Sequence, residues 1–354
     1  MKKYPLYLSL DDVLLLPQYS EINSRSEVDL SWKMGDTKLD IPLISANMDC
    51  VTGVEMAISL GKLGGLGVMP RFDKPDIQCQ KIKQVKIAGV PIAASIGIKD
   101  EEWQRLELLI KTGVDHINID VAHGHLKRVQ DLVYQIKQKY PRLNLSAGVV
   151  GTPQGARDLF NAGVDIVKVG VGPGSICITR IMTGCGIPQF TAITDCAKVS
   201  RHYHKIIWAD GGVKNSGDAV KCLAAGASAV VLGNVFAGTD EAPPEIININ
   251  GQKYKSYNGS TSSIEKQKQL GKNNSDKNNQ YLNHIEGVEG FVPYKGPLSA
   301  LVEKFIAGIR SGYSYCGAIN TQQLWKKAKF IQVTTAGLRE DNFHDIISLL
   351  PQSP

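Results

Sequence analysis

Eight short apolar runs rich in Val, Ile and Ala recur along the chain, at 41–49, 66–69, 91–96, 116–121, 143–149, 164–171, 205–208 and 227–232. Between them lie segments of helical length whose apolar positions repeat near every 3.6 residues, as at 102–111, 126–139, 154–161 and 217–225. Several of these segments end in a glycine just before the next run: Gly89, Gly113, Gly163 and Gly226. A glycine there accepts positive φ and closes a helix. Near-continuous apolar strands alternating with helices are parallel βαβ units. Eight units predict an α/β fold of the TIM (β/α)8 barrel type rather than an open doubly wound sheet. Ligands of such a barrel bind at the C-terminal ends of its strands. A last barrel helix is expected over 298–310, and an ordered, partly apolar tail over 328–345.

The pattern breaks between 240 and 295. Residues 253–257 read as one short strand, but 260–283 are rich in Asn, Lys, Gln and Ser. That composition cannot bury a core of its own. Following the eighth strand, over the predicted ligand end, it reads as a mobile lid over about 258–285. The expected organisation is a single barrel domain over 1–354 that carries this lid.

Composition changes the picture little. A net charge of +6 is spread along the chain, which hints at anionic ligands and gives no argument for nucleic acid. The seven cysteines are odd in number and show no CxxC pairing. With no signal peptide and no apolar run of eighteen, a reduced cytoplasmic setting without membrane contact is expected.

The chemistry concentrates in 164–185, VDIVKVGVGPGSICITRIMTGC. Its strand breaks at Gly172-Pro173-Gly174-Ser175, a turn whose unobstructed N–H groups can approach a phosphate. Cys177, Thr179 and Arg180 follow, so Cys177 is held beside whatever the phosphate anchors. Cys185 on the same loop lacks that context and stays unassigned. Other strand ends carry SANMD, DVAHGH, ADGG and LGNVFAG. Asp210 can accept both hydroxyls of a ribose or cap a helix, while Gly212 and Gly233 leave N–H groups free for phosphate. Asp120 and His123 follow the fourth strand, where His123 is a general base or a surface turn histidine.

The loop GVGPGSICITRIMTGCGIPQ resembles the active-site loop shared by IMP dehydrogenases and GMP reductases. The blocks LSLDDVLLLPQYSE, SANMD, DVAHGH, ADGGV, LGNVFAGTDEAP, KYKSY, EGVEG, VPYKGP and RSGYSYCGA follow in the family's order. The resemblance implies Cys177 as nucleophile and Thr179 with Glu286 as a proton relay at the purine. It implies a nucleotide site of Ser175, Gly212, Gly233, Tyr257 and Ser260, with Asp210 on the ribose and Asn234 where many members have Ser. Asp120, Ala122 and His123 would line a nicotinamide cofactor. Gly172, Gly174 and Cys177 would hold a monovalent cation, K⁺. A homotetramer is implied as well.

Two departures choose within the family. Met69–Pro75 runs straight on to the third strand, with no room for a regulatory CBS pair. The lid has Ser275-Asp276-Lys277-Asn278 where dehydrogenases carry Arg-Tyr, and no arginine stands between Arg201 and Arg310. Lys277 is an imperfect replacement, being a protonated point charge. The expectation is therefore reductive deamination of GMP to IMP and ammonia with NADPH, through an adduct on Cys177. The tail TTAGLREDNFHD resembles dehydrogenases, so the alternative is IMP oxidation to XMP with NAD. An alternative of another class is a non-catalytic purine-nucleotide sensor.

Overall fold

The eight apolar runs are eight parallel strands in the computed structural model, which describes residues 4–272 and 284–337. They are β1 (Leu43–Ser45), β2 (Leu66–Met69), β3 (Ile92–Ile96), β4 (His116–Asp120), β5 (Leu145–Val150), β6 (Ile166–Val169), β7 (Ile206–Asp210) and β8 (Ala229–Leu232). β8 pairs back onto β1, with Val230 beside Leu43 and Leu232 beside Ser45, so the barrel is closed. Its outer ring is α1 (Val54–Lys62), α2 (Pro75–Ile87), α3 (Glu102–Thr112), α4 (Lys127–Lys139), α5 (Pro153–Ala162), α6 (Gln189–His202), α7 (Ser216–Ala224) and α8 (Leu298–Tyr315). The four glycines expected to close helices all have positive φ, from 73° at Gly89 to 121° at Gly226.

Strand alternation sorts the side chains. On β4, Ile117 and Ile119 are fully buried, while His116, Asn118 and Asp120 share the opposite, inward face. The Ser146 hydroxyl donates to Asn118 Oδ1 at 2.9 Å, and Asn118 Nδ2 donates to Ser95 Oγ at 2.9 Å. Ser146 therefore accepts from His116 Nε2, 2.8 Å away. Below this polar file, His116 faces Trp208 at 5.1 Å between ring centroids, and Trp208 meets the edge of Trp32 at 6.1 Å. Trp32 opens the hairpin Trp32–Met34/Thr37–Leu39, and its Nε1 donates to the Ile41 carbonyl at 3.0 Å, just before β1.

Burial pushes His116 from 6.5 down to about 3. The folded chain keeps it neutral where the unfolded chain protonates it. Its stabilising contribution is complete above about pH 6.5 and is lost as pH falls toward about 3, by up to ~1.4 kcal/mol per pH unit. Thermal midpoints taken between about pH 7 and pH 5, above the carboxylate range, should fall more steeply for the wild type than for His116→Gln. Equal slopes would remove His116 from this account.

The segment after β8 is more ordered than its composition predicts. Ile246–Ile249, Gln252–Asn258 and Glu289–Pro293 form an antiparallel three-stranded sheet, and Ser263–Lys272 is a helix. Its polar residues satisfy one another. Ser262 Oγ accepts the Glu265 N–H at 3.4 Å, and Glu265 Oε1 takes Asn258 Nδ2 at 3.3 Å and Lys268 Nζ at 2.8 Å. Ser275–Asn278 with Lys277, and the tail beyond 337, lie outside the described residues. The described part of the tail, Phe330–Gln332, pairs antiparallel with Val13–Leu15.

Candidate active site

The loops after β6 and β7 lie side by side because Gly170 has no side chain. A Cβ there would stand 1.9 Å from the Asp210 carbonyl oxygen. Gln189 Nε2 holds both strands' ends, donating to the Val169 and Asp210 carbonyls at 3.0 and 3.1 Å. Beyond Gly170 the chain turns, and the Cys177 N–H donates to the Gly174 carbonyl at 3.1 Å. Arg180 clasps the loop from behind. Its Nη2 donates to the Ile187 carbonyl at 2.8 Å, and its stem fills the space beside Gly172 and Gly186.

The flap returning from 284 then pairs with this loop. Cys177 stands opposite Gly287 in an antiparallel bridge, Ile178 N–H donates to the Glu286 carbonyl at 2.9 Å, and Val288 N–H to the Ile176 carbonyl at 3.0 Å. The flap enters and leaves at one point: Gly259 N–H donates to the Val288 carbonyl at 3.0 Å, and a Cβ on Gly259 would lie 2.9 Å from the Gly287 Cα. This pairing assembles a file of three side chains. Cys177 Sγ donates to Thr179 Oγ1 at 3.2 Å, and Thr179 Oγ1 donates to Glu286 Oε2 at 2.6 Å.

The file opens into a cavity of about 270 Å³ at the C-terminal mouth of the barrel. Asp120, Ala122, Gly172, Gly174 and Asp210 line it, as do Gly233, Tyr257 and Ser260. Tyr257 is 5 % exposed. Burial raises its phenol above the ordinary range, and its hydroxyl meets the Ser175 side chain and the Asn234 backbone N–H. The missing Cβ of Gly233 makes room for that hydroxyl, which would otherwise be 2.6 Å away. Ser175, Gly212 and Asn234 are not among the lining residues, although Ser175 and Asn234 meet the Tyr257 hydroxyl.

His123 is likewise outside the lining. It is exposed, with its ring 6.4 Å from that of His125. Gly124 is the cause: its N–H donates to the Val149 carbonyl at 2.7 Å, drawing the turn against β5 and leaving the neighbouring histidine outside.

Two residues were not anticipated, Lys168 and Arg71. Lys168, on the inward face of β6 and 2 % exposed, reaches Asp210 at 2.9 Å, Asn47 Oδ1 at 3.1 Å and Asp120 at 3.8 Å. Arg71 Nε lies 3.7 Å from Asp120 and, buried, makes no hydrogen bond among the described residues. The available signal was a single lysine at an inward position of an apolar strand. A larger cavity of about 740 Å³ beside α1, lined by Glu55, Asp240 and Glu241 among others, holds none of the predicted site residues.

The family profile described as IMP dehydrogenase / GMP reductase domain matches residues 7–344. The chain belongs to the IMP dehydrogenase/GMP reductase family. Inosine-5′-monophosphate dehydrogenase of Nitrosopumilus maritimus is 33 % identical, over 96 % of this chain and 98 % of its own. The enzyme of that name from Aquifex aeolicus is 34 % identical, over 98 % and 96 %. These alignments run over 470 and 474 positions against a chain of 354, so more than a hundred positions find no counterpart here. A GMP reductase variant from Trypanosoma brucei, solved in complex with guanosine 5′-monophosphate, superposes with a TM-score of 0.91 at 26 % identity. The match covers 97 % of this chain and 99 % of that one. Membership makes the chain an oxidoreductase of a family that uses a nicotinamide cofactor. No helix among the described residues is long and apolar enough to cross a membrane.

Proposed function

We propose that this chain is a GMP reductase, converting GMP and NADPH to IMP, ammonia and NADP⁺. The observation that carries the reading is a thiol linked through Thr179 to Glu286, under a flap that brings no arginine anywhere between residues 201 and 310. The Cys177 sulfur adds as thiolate to the electrophilic C2 of the purine. Glu286, through Thr179, delivers the proton with which the 2-amino group departs as ammonia. Asp210 takes the ribose hydroxyls, and Ser175, Gly212, Gly233, Tyr257 and Ser260 surround the phosphate, with Asn234 beside them.

Asp120, Ala122 and Arg71 form the wall where the nicotinamide half of the cofactor fits. The buried Arg71 Nε is a donor with an open position toward a nucleotide hydroxyl or phosphate. A reduced nicotinamide held by these residues would supply the hydride that C2 needs, and Cys177 would leave C2 as the thiolate. The flap serves as a lid that keeps water from a carbon where hydrolysis would give XMP instead. Gly172, Gly174 and Cys177 would hold a K⁺ ion in the same reading, which also includes a cytoplasmic homotetramer. The Gly174 carbonyl accepts one N–H and keeps a second lone pair for the ion.

A second reading, IMP dehydrogenase with NAD, is favoured by the 33–34 % identity to proteins of that name and by the tail at 334–345. Absorbance at the reduced-nicotinamide band, with and without K⁺, separates the two. Loss of NADPH with GMP and silence with IMP and NAD⁺ is the expected result. Sustained gain with IMP and NAD⁺ would establish the dehydrogenase, and silence in both with nucleotide bound would leave a sensor.

A further inference from the structure

Lys266 lies on the flap helix Ser263–Lys272 and is 3 % exposed. Its Nζ donates to the carbonyl of His284, two residues before Glu286. The nearby Glu286 carboxylate favours its charged form. The helix that carries it is fastened at its start, where Lys266 N–H donates to the Ser262 carbonyl at 3.0 Å and Glu265 holds Asn258. One buried cation thus spans from the flap helix to the segment bearing Glu286, whose other side meets Thr179 and then Cys177.

Packing alone does not explain a lysine here. Methionine fills the same volume without the cost of taking an ammonium out of water, which is recovered only where acceptors and an opposite charge face it. His284 and Glu286 provide both. We propose that Lys266 is a positioning residue for Glu286: its ammonium holds the carboxylate against Thr179 and so sets the geometry in which the cysteine site moves protons. The inference rests on the reading of Thr179 and Glu286 as the proton-moving pair. Burial pulls the lysine below its ordinary range, against the opposing pull of Glu286, in keeping with a cation held in place by that partner.

The test compares Lys266→Met, Lys266→Gln and Lys266→Arg, alone and with Glu286→Gln, by nicotinamide absorbance at saturating and limiting nucleotide. Lys266→Met should lower kcat about tenfold to a hundredfold, as a displaced acid–base group does, with KM within about threefold. Lys266→Gln keeps a donor for His284 and loses the charge, so it should fall equally. Lys266→Arg should recover to within about fivefold of wild type. In the Glu286→Gln background, Lys266→Met should change kcat less than about twofold, because the group it positions is gone. A full further loss in that background would overturn the proposal, as would a change confined to KM and melting temperature. If Glu286→Gln alone leaves kcat intact, it is the underlying proton-pair reading that fails.

Discussion

Cys177→Ala is expected to cut turnover with either nucleotide by at least about a thousandfold, while nucleotide still binds within about threefold of wild type. The side chain is half-buried and its Sγ hydrogen-bonds to Thr179 among the described residues, so its removal should leave the fold intact. None of the five buried thiols, Cys50, Cys79, Cys196, Cys222 and Cys316, lines the cavity. Burial pushes Cys50 and Cys196 up to about 12, and Cys222 further still, which keeps all three protonated near neutral pH. Cys185, exposed on the same loop, is the one rival. Turnover near wild type in Cys177→Ala, abolished by Cys185→Ala, would move the nucleophile there. Intact-mass measurement of the wild type quenched during turnover should reveal a nucleotide adduct that Cys177→Ala lacks.

The second large effect belongs to Lys168→Met. Burial alone would pull this ammonium down, but Asp210 and Asp120 outweigh it and hold the group above its ordinary value. Deleting the charge leaves Asp210 without its cation and Asp120 with Arg71 alone, both carboxylates about four-fifths buried. Breaking a buried pair by removing one partner costs about 3–5 kcal/mol. Nucleotide affinity should fall at least tenfold as well, because Asp210 loses the partner that aims it. Thermal melting and equilibrium nucleotide binding read the two losses separately. Adding Asp210→Asn should restore part of the stability and none of the affinity, since one stranded charge is removed while the ribose acceptor is not returned. A melting point within a degree or two of wild type for Lys168→Met would show that these charges do not frame the mouth.

The barrel was legible because buried parallel strands have nowhere to place polar side chains except at their ends and along the inner face. All eight runs became strands for that reason, and the chemistry-bearing blocks after them converge on one mouth. The alternation in His116-Ile117-Asn118-Ile119-Asp120 already announced a polar interior, yet an apolar-run reading averages over it. Lys168 escaped in the same way, one charge among five aliphatic neighbours. His123 carries two readings, a residue along the cofactor and a surface turn histidine; it stands exposed beside Gly124, and no local pattern encodes which flank of that glycine faces the cavity. The flap was underestimated because its order comes from polar residues that satisfy each other. Hydrophobicity counts these as unstructured, and only pairing with the Cys177 loop shows where Glu286 goes.

The contact of Gly259 with Gly287 bears on how such a protein can change over generations. Each would place a Cβ about 3 Å from the other's Cα, so the two ends of the flap meet at one stitch. Residues gained or lost beyond that stitch lengthen or shorten an excursion whose closure is already made. The entropic penalty grows by only about 0.6 kcal/mol for each doubling of length. Glu286, next to the stitch, keeps its station as long as the excursion still brings Lys266 to the His284 carbonyl. A lineage can therefore rewrite which molecules reach the thiol, water included, by insertion, deletion and drift in one surface cassette, while selection keeps the barrel beneath it unchanged.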